Sequence, residues 1–189
     1  GAMVSCNSYR NPDLPADMVR TIDHLSAGRA ILGIGAGWFE RDYDEYGYEF
    51  GTAGSRLADL EQALPRIEKR WSALNPAPLR DIPVLIGGGG EKKTLRYTAR
   101  HADIWHGFGD LDTVVRKSAI LDEWSRTEGR DPSEGERSVG VEGEPGVKGQ
   151  PLLDAGVTLF TIGLGGPSYD LARLTDWLAW RDEVNASRA

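Results

Sequence analysis

The sequence predicts an α/β fold, in which the strands of a parallel sheet alternate with helices packed outside it. Short apolar runs that end in glycine recur along the 189 residues, and stretches with apolar residues at helical spacing separate them. Regular alternation of strand and helix is typical of right-handed βαβ units, which give a parallel sheet covered by helices. A barrel and a doubly wound sheet both satisfy this pattern. We expect a single domain spanning residues 1–189.

Five strands follow from apolar runs that are brief, rich in β-branched residues and closed by glycine, as expected of strands buried on both faces. They are predicted at 29–35, 82–88, 102–108, 137–141 and 157–165. The segment "MVSC" near the start is interpreted as the tail of a sixth strand. Helices are predicted between the strands, at 12–27, 56–71, 91–101, 111–126 and 168–184, with a shorter one near 148–155.

The first two helices show the clearest apolar stripes. Pro12 opens the first helix, Gly28 follows it in the position of a C-cap, and helical spacing groups Leu14, Met18, Ile22 and Leu25. In the second helix the stripe consists of Leu57, Leu60, Leu64, Ile67 and Trp71. Pro65 lies inside this helix and predicts a kink, because proline removes an intrahelical hydrogen bond.

Composition excludes several classes of protein. The net charge of −7 argues against nucleic acid as a partner, since nucleic-acid-binding proteins present a basic face. No window approaches the roughly 20 apolar residues of a membrane span. The N-terminus lacks the pattern of a signal peptide, so we expect a cytoplasmic protein without a membrane partner. Cys6 is the single cysteine, which excludes an internal disulfide and a cysteine-rich zinc site, and no metal site is predicted.

Two strand ends are rich in glycine, "GIGAGWFE" at 33–40 and "IGGGGEKKT" at 86–94. Ligands of parallel α/β folds bind beyond the carboxyl ends of the strands, which makes both segments candidates for a site. Neither is a standard nucleotide loop: Trp38 occupies the last small position of G-x-G-x-x-G, and Lys92 falls one place early for a Walker loop. The second segment can still turn successive N–H groups toward an anion at a helix start. We therefore predict that it binds a phosphate, with a plain tight turn as the alternative.

Four blocks of the sequence resemble the luciferase-like monooxygenase superfamily, most closely its coenzyme F420-dependent oxidoreductases. They are the helix start "NPDLPADMVRTIDHL", the segment "SAGRAILGIGAGWFERDYDEYG", the turn "GGGGEKKT" and the short run "ADIWH", in the order of the family. The resemblance implies a (β/α)8 barrel with a flavin or deazaflavin ring across the carboxyl ends of the strands. It also implies hydride transfer between the deazaflavin and a small organic substrate.

The resemblance also implies which residues contact the cofactor. Phosphate contacts are implied for the glycine turn and the start of the following helix, at Gly87, Gly88, Gly89, Gly90 and Glu91. Contacts with the edge of the cofactor are implied for Gly35, Ala36, Gly37 and Trp38. The family often has a non-prolyl cis peptide behind the ring, which corresponds here to the bond between Met3 and Val4, next to Ser5. Bacterial luciferases place an arginine for the FMN phosphate where this chain has Ala36, which favours F420 over FMN.

The chain is short for the fold that it resembles. A complete barrel has eight strands in about 250 residues, so we predict an incomplete barrel of five to six strands, with the first strands missing. Open parallel edges favour association, and a homodimer is expected. An FMN-dependent monooxygenase and a non-catalytic, degenerate partial barrel are the alternatives. His106, Glu40 and Asp42 are candidate acid–base groups, but a structural histidine and surface carboxylates are the preferred interpretations, and no catalytic residue is assigned.

Overall fold

The computed structural model describes residues 1–188, which form six strands and seven α-helices in regular alternation. The strands are β1 (Ser5–Cys6), β2 (Leu32–Gly35), β3 (Val84–Gly87), β4 (Ile104–Gly107), β5 (Glu136–Val141) and β6 (Val157–Ile162). The helices are α1 (Asp13–Leu25), α2 (Glu40–Tyr46), α3 (Ala53–Ala73), α4 (Thr94–His101), α5 (Leu111–Thr127), α6 (Pro145–Asp154) and α7 (Ala172–Arg188).

All six strands belong to one parallel sheet, and their order in the sheet follows their order in the chain. A doubly wound sheet reverses its strand order at a switch point, and this sheet does not. The sequential order therefore selects the barrel-type arrangement. The predicted α/β class, with five to six parallel strands of an incomplete barrel, is confirmed. Within residues 1–188 the outer edges of β1 and β6 have no pairing partner, so the sheet is open.

Successive side chains of each strand point to opposite faces of the sheet, so one set faces the helices and the other faces the inside. In the largest core cluster, residues of β2 and β3 pack against the predicted stripe of α3, which contributes Leu60, Leu64, Ile67 and Trp71. The strand residues in this cluster are Leu32, Ile34, Val84 and Ile86. Gly33, Gly35 and Gly87 alternate with them and therefore belong to the inner face. β2 thus presents only backbone to the inside, whereas β3 presents the Leu85 side chain and the backbone of Gly87.

Two smaller clusters fix the other helices. Leu95 and Ala99 of α4 pack with Trp105 of β4 and Leu121 of α5. The last two strands pack against α6 and α7 in a cluster that includes Val139, Val141, Val157, Leu152 and Trp177. Each cluster lies on the helix-covered side of the sheet, which leaves the inner face free for a cavity.

The apolar stripe of α1 lies on the solvent side, in contrast to the stripe of α3. Leu14, Met18, Ile22 and Leu25 are 44% to 84% exposed, while Ala16 and Asp23 are fully buried. The Asp23 carboxylate accepts hydrogen bonds from the N–H groups of Ala30 (3.4 Å) and Leu79 (2.9 Å). The buried carboxylate and its two backbone donors thus determine which face of α1 is turned toward the sheet. The helical spacing of apolar residues does not determine it.

Other helices differ from prediction at their ends. α4 starts at Thr94, three residues later than predicted, because residues 91–93 form a turn. α3 extends from Ala53 to Ala73, beyond the predicted 56–71 at both ends, and contains Pro65, where the kink stays a prediction. α2 is absent from the predicted elements, since its sequence "ERDYDEY" contains a single buried residue, Tyr43.

Acid should weaken the contact between α1 and α3. Asp13 is bound bidentately by Arg66 (2.9 and 2.6 Å), and Asp17 by Arg70 (2.8 and 2.7 Å). These charge-assisted hydrogen bonds lower the pKa of both carboxyls below their ordinary value of 3.8. A lowered folded-state pKa stabilises the fold above the unfolded-state pKa, and this contribution is lost as pH falls from about 4 through the folded-state values.

The double variant Asp13→Asn/Asp17→Asn is therefore expected to be less stable than the wild type at pH 7 and to approach it at pH 3. Urea midpoints at both pH values measure this difference. Asp59→Asn, an exposed change on α3, is the matched control and should leave the pH dependence unaltered. An equal deficit of the double variant at both pH values would contradict the role of the two ion pairs.

Candidate functional site

A cavity of about 860 Å³ opens at the carboxyl ends of the first four strands. Its wall consists of the ends of β1, β3 and β4, the loop that follows β2, Asp42 of α2 and the first turns of α3 and α4. The lining residues are Met3, Val4, Ser5, Cys6, Tyr9, Ala36, Gly37, Trp38, Phe39, Asp42, Ala53, Arg56, Leu57, Gly87, Gly88, Thr94, His106 and Phe108. Both glycine-rich segments therefore border the same cavity, as their position at strand ends predicted.

The N-terminal segment forms the floor of the cavity. The peptide bond between Met3 and Val4 is cis, as predicted. The Val4 side chain lies against the inner face of β2 and β3, where a methyl group placed on Gly33, Gly35 or Gly87 would come within 3.0 to 3.4 Å of it. The glycines of these strands are thus the residues that admit Val4.

Two carbonyl groups of the turn after β3 accept hydrogen bonds from tryptophan side chains. The indole N–H of Trp105 donates to the carbonyl oxygen of Gly88 (2.7 Å), and that of Trp124 donates to the carbonyl oxygen of Glu91 (2.8 Å). The Gly88 N–H donates to the His106 carbonyl (3.2 Å), which ties the turn to β4. In contrast, the N–H groups of residues 89–93 donate no hydrogen bond within residues 1–188. The turn therefore presents a row of free donors before α4.

Side chains would obstruct this turn. Gly88 has φ +139°, and a Cβ there would lie 3.0 Å from the Thr94 Cγ2. A Cβ on Gly90 would lie 2.8 Å from the Thr94 Oγ1, and a Cβ on Gly89 would collide with the side chain of Lys117. Thr94 is itself buried and lines the cavity, so its hydroxyl belongs to the same site. Gly87, Gly88 and Gly90 are thus restricted by Val4 and Thr94, whereas the Lys117 side chain near Gly89 can move aside.

Arg56 brings a buried positive charge to the cavity wall. Its side chain is 8% exposed, and the guanidinium donates to the carbonyl oxygens of Gly37 (3.2 Å) and Phe50 (2.7 Å). The guanidinium carbon lies 3.8 Å from the centre of the Phe50 ring. No carboxylate of residues 1–188 forms an ion pair with it, although burial of an unpaired charge is costly. Arg56 therefore holds the loop after β2 and leaves charge available to an anion in the cavity.

The other side of the loop packs on aromatic residues. Gly37 has φ +85°, and a Cβ there would collide with the Tyr43 hydroxyl and the Cys6 sulfur. The Cys6 Sγ and the Tyr43 hydroxyl are 3.1 Å apart, and the Tyr9 hydroxyl donates to Asp42 (3.2 Å). Burial is the main cause that raises the pKa of both tyrosines, so their hydroxyls stay protonated at neutral pH. Of Cys6, Tyr9, Asp42 and Tyr43, Asp42 alone carries a charge at neutral pH.

His106 is buried at the inner end of β4 and lines the cavity. Its Nδ1 lies 2.9 Å from the Ser138 hydroxyl of β5, and its ring meets Phe108 edge to face at 5.0 Å. Burial lowers the pKa of His106, which keeps the imidazole neutral at pH 7. The two other histidines lie elsewhere: His24 bonds the Ala77 carbonyl, and His101 bonds Glu68.

The cavity contains eight of the twelve residues that the resemblance implied: Met3, Val4, Ser5, Ala36, Gly37, Trp38, Gly87 and Gly88. Gly35, Gly89, Gly90 and Glu91 lie beside it, and the Glu91 carboxylate pairs with Arg116 on α5. Of the candidate acid–base groups, His106 and Asp42 reach the cavity, and Glu40 is exposed. Sequence reasoning missed Arg56, Thr94 and Tyr9. The "TAGSR" start of α3 offered no signal for Arg56, because an arginine in a helix is ordinarily solvated.

Loss of the Trp105 indole N–H should loosen the glycine turn. Trp105→Phe leaves the Gly88 carbonyl without its donor, which costs about 1 kcal/mol of stability. Because the turn loses one of its two fixed carbonyls, affinity for an anionic ligand at the turn should also fall severalfold. Chemical denaturation and ligand titration measure the two effects.

Trp177→Phe is the matched control, since it removes a similar indole bond to the Gly143 carbonyl (3.1 Å) in the cluster of β5, β6, α6 and α7. It should lower stability by a comparable amount and leave ligand affinity unchanged. Equal affinity of the two variants would show that the Trp105 bond does not shape the turn.

Residues 1–188 contain neither a membrane-spanning helix nor a cluster of metal-ligating side chains. No helix in this range is both long and apolar enough to cross a membrane. No group of three or more histidine, cysteine, aspartate or glutamate side chains in the same range is placed to hold a metal ion.

The sequential parallel sheet and the glycine-lined cavity at its carboxyl edge define a class: barrel-type α/β proteins that bind a ligand at the strand ends. The family model for luciferase-like monooxygenases matches residues 1–143, and the chain belongs to this family. One relative, an uncharacterised protein of Mycobacterium tuberculosis (strain H37Rv), is 29% identical over 136 residues, covering 64% of this chain and 48% of the relative. The chain thus spans about half the length of such relatives.

Solved structures show the same fold. An F420-dependent secondary alcohol dehydrogenase in complex with an F420–acetone adduct superposes with a TM-score of 0.67 at 19% identity, covering 74% of this chain and 48% of that chain. The oxygenating constituent of 3,6-diketocamphane monooxygenase from Pseudomonas putida, in complex with FMN, gives a TM-score of 0.58 at 17% identity, covering 80% and 52%. The fold therefore occurs with either cofactor.

Proposed function

We propose that this chain is part or all of a coenzyme F420-dependent oxidoreductase, which transfers a hydride between the deazaflavin and a small organic substrate. One observation carries the proposal: the glycine turn after β3 offers five successive N–H groups, 89–93, without a partner in residues 1–188, beside a cavity of about 860 Å³. Free N–H groups ahead of a helix suit a phosphate. The cavity is large enough for a flavin-sized ring system.

The residues of the site fit such a cofactor. The N–H groups of the turn and the Thr94 hydroxyl would hold the phosphate, and Arg56 would supply positive charge to the anionic part of the molecule. The ring would lie between Val4 and the loop of Gly37 and Trp38. The bound deazaflavin supplies two-electron chemistry, and the chain supplies binding, orientation and exclusion of water.

Two features support F420 rather than FMN. Ala36, which lines the cavity, occupies the position where bacterial luciferases have an arginine for the FMN phosphate. One of the similar structures is an F420-dependent secondary alcohol dehydrogenase. An FMN-dependent monooxygenase is the second candidate, and the FMN complex of the diketocamphane enzyme favours it. A non-catalytic partial barrel is the third, because the sheet is open within residues 1–188.

Parallel fluorescence titrations with F420 and FMN, followed by oxygen uptake with reduced FMN, separate the three candidates. We expect saturable F420 binding with a Kd on the order of micromolar, weaker FMN binding and no oxygen uptake. Preference for FMN together with oxygen uptake would establish the monooxygenase instead. Binding of neither cofactor would contradict both enzymatic candidates. The expected homodimer stays a prediction, which sedimentation velocity tests in the same samples.

A further inference from the structure

Three of the five lysines of the chain lie at the glycine turn after β3. Lys92 and Lys93 belong to the turn itself and are exposed, and Lys117 of α5 is half-buried beside it. The side chain of Lys117 lies across Gly89, where its Cε and Cδ are 3.2 and 3.3 Å from the position of a Cβ on that glycine. Its ammonium group is therefore close to the free N–H groups of the turn.

These three ammonium groups have no partner of opposite charge. None of them forms an ion pair with a carboxylate of residues 1–188. The carboxylate of the turn itself, that of Glu91, pairs with Arg116, and this hydrogen-bonded pair lowers the pKa of Glu91. Positive charge thus exceeds negative charge at the turn, although the net charge of the chain is −7. An anionic ligand would relieve this local excess.

One face of α5 packs against the turn and brings the cations to it. The Trp124 indole donates to the Glu91 carbonyl, and Arg116 binds the Glu91 carboxylate. Lys117 precedes Trp124 by seven residues, about two helical turns, so both side chains lie on the same side of the helix. The Asp110 carboxylate accepts from the Thr113 N–H (3.0 Å) at the start of α5. The turn therefore combines N–H donors and cations, while the carboxylate nearest to it already has a partner.

We propose that Lys92, Lys93 and Lys117 form a second anionic subsite at the outer rim of the turn, and that the ligand carries a polyanionic tail beyond its phosphate. A single phosphate carries at most about two negative charges, and the N–H groups of the turn already bind it. Lysines are point charges on flexible stems, which suit a chain of successive charges. A ligand that ends at its phosphate would leave the subsite unused. This inference rests on the proposed function, since it needs a phosphate on the turn, and it deepens that function by naming the chemistry of the ligand's tail.

The first test compares inorganic phosphate with tripolyphosphate as ligands of the full chain. The amide resonances of residues 89–93 follow both titrations at the turn. At an ionic strength of about 0.15 M, we expect tripolyphosphate to bind at least about tenfold more tightly than phosphate, and high salt to reduce this preference. In the triple variant Lys92→Gln/Lys93→Gln/Lys117→Gln, the preference should fall to about twofold. Phosphate affinity should change less than about threefold, because the backbone donors of the turn remain.

A second triple variant with the same change of net charge is the control. Arg41→Gln/Lys69→Gln/Arg181→Gln alters three exposed side chains on α2, α3 and α7, and it should keep the tenfold preference for tripolyphosphate. Equal affinity of wild type for the two anions, or the same loss of preference in both triple variants, would overturn the subsite. Phosphate shifts at residues 89–93 would then still support the phosphate site of the proposed function. The absence of shifts there with either anion would contradict both.

The second test separates the charge of Lys117 from its packing against Gly89. Lys117→Arg keeps the positive charge, and Lys117→Gln removes it. We expect Lys117→Arg to retain most of the preference for tripolyphosphate and Lys117→Gln to lower it about threefold. Urea midpoints verify that both variants fold as wild type does. An equal loss of preference in the two variants, or no loss in Lys117→Gln, would overturn the assignment of Lys117 to the subsite.

Discussion

Replacing Gly88 with valine is expected to lower the affinity for F420 about 100-fold, because the glycine turn would lose at least two charge-assisted hydrogen bonds to the phosphate, together about 3 kcal/mol. Gly88 has φ +139°, a conformation that β-branched residues do not adopt without strain. A Cβ there would also lie 3.0 Å from Thr94, which lines the same cavity. The turn must therefore change shape to accept valine.

The fold should survive this change. Gly88 follows the last residue of β3, so the strain of about 1–3 kcal/mol falls on a loop rather than on the core. Circular dichroism and a cooperative urea transition verify the fold, and fluorescence titration measures affinity. Gly163→Val is the matched control, because no atom lies within 4 Å of a Cβ at that position. Wild-type affinity in Gly88→Val would rule out the phosphate contact at this turn.

Arg56→Met is expected to weaken both the fold and cofactor binding. The variant leaves the carbonyl oxygens of Gly37 and Phe50 without their donor, at a cost of about 2 kcal/mol. It also removes the buried guanidinium that has no carboxylate partner in residues 1–188, so affinity for an anionic cofactor should fall at least about tenfold. Lysine would not restore the two bonds, since it lacks the planar fork of arginine.

Two comparisons separate the structural effect of Arg56 from its effect on binding. Arg41→Met removes an exposed arginine on α2 that pairs with Glu45, and it should change neither quantity appreciably. Titrations of wild type and Arg56→Met with F420 at low and high ionic strength measure the electrostatic contribution of Arg56 to cofactor affinity. A variant that is destabilised but binds F420 as tightly as wild type, with the same salt dependence, would assign Arg56 to loop support alone.

The fold could be predicted because its signals are local. Each strand is a brief apolar run closed by glycine, and the stripe of α3 repeats at helical spacing, so element types and the parallel class follow from the sequence. The choice between barrel and doubly wound sheet depends on which strands are neighbours, and no local pattern encodes that. The rotation of α1 depends on Asp23, whose burial becomes evident only when its partners Ala30 and Leu79 are in place.

The site also has a part that the sequence reveals and a part that depends on tertiary contacts. Its glycine segments are visible in the sequence, because four adjacent glycines before a helix have few structural uses. Arg56 and Thr94 have no such signature, since each is an ordinary residue of a helix until the fold brings it to the cavity. The role of the indoles of Trp105 and Trp124 is equally nonlocal, because each reaches a carbonyl 17 or 33 residues away. Sequence therefore located the glycine turn, and tertiary structure supplied the groups around it.

In the proposed complex, the cofactor phosphate lies on the free N–H groups of the turn after β3. The most direct measurement is a backbone amide resonance map of the chain titrated with F420. We predict saturable downfield shifts of the amide protons of residues 89–93, with smaller shifts at Val4, Gly37 and His106. Shifts confined to residues of β6 and α7, or the absence of shifts at residues 89–93 when F420 is bound, would contradict this placement of the phosphate.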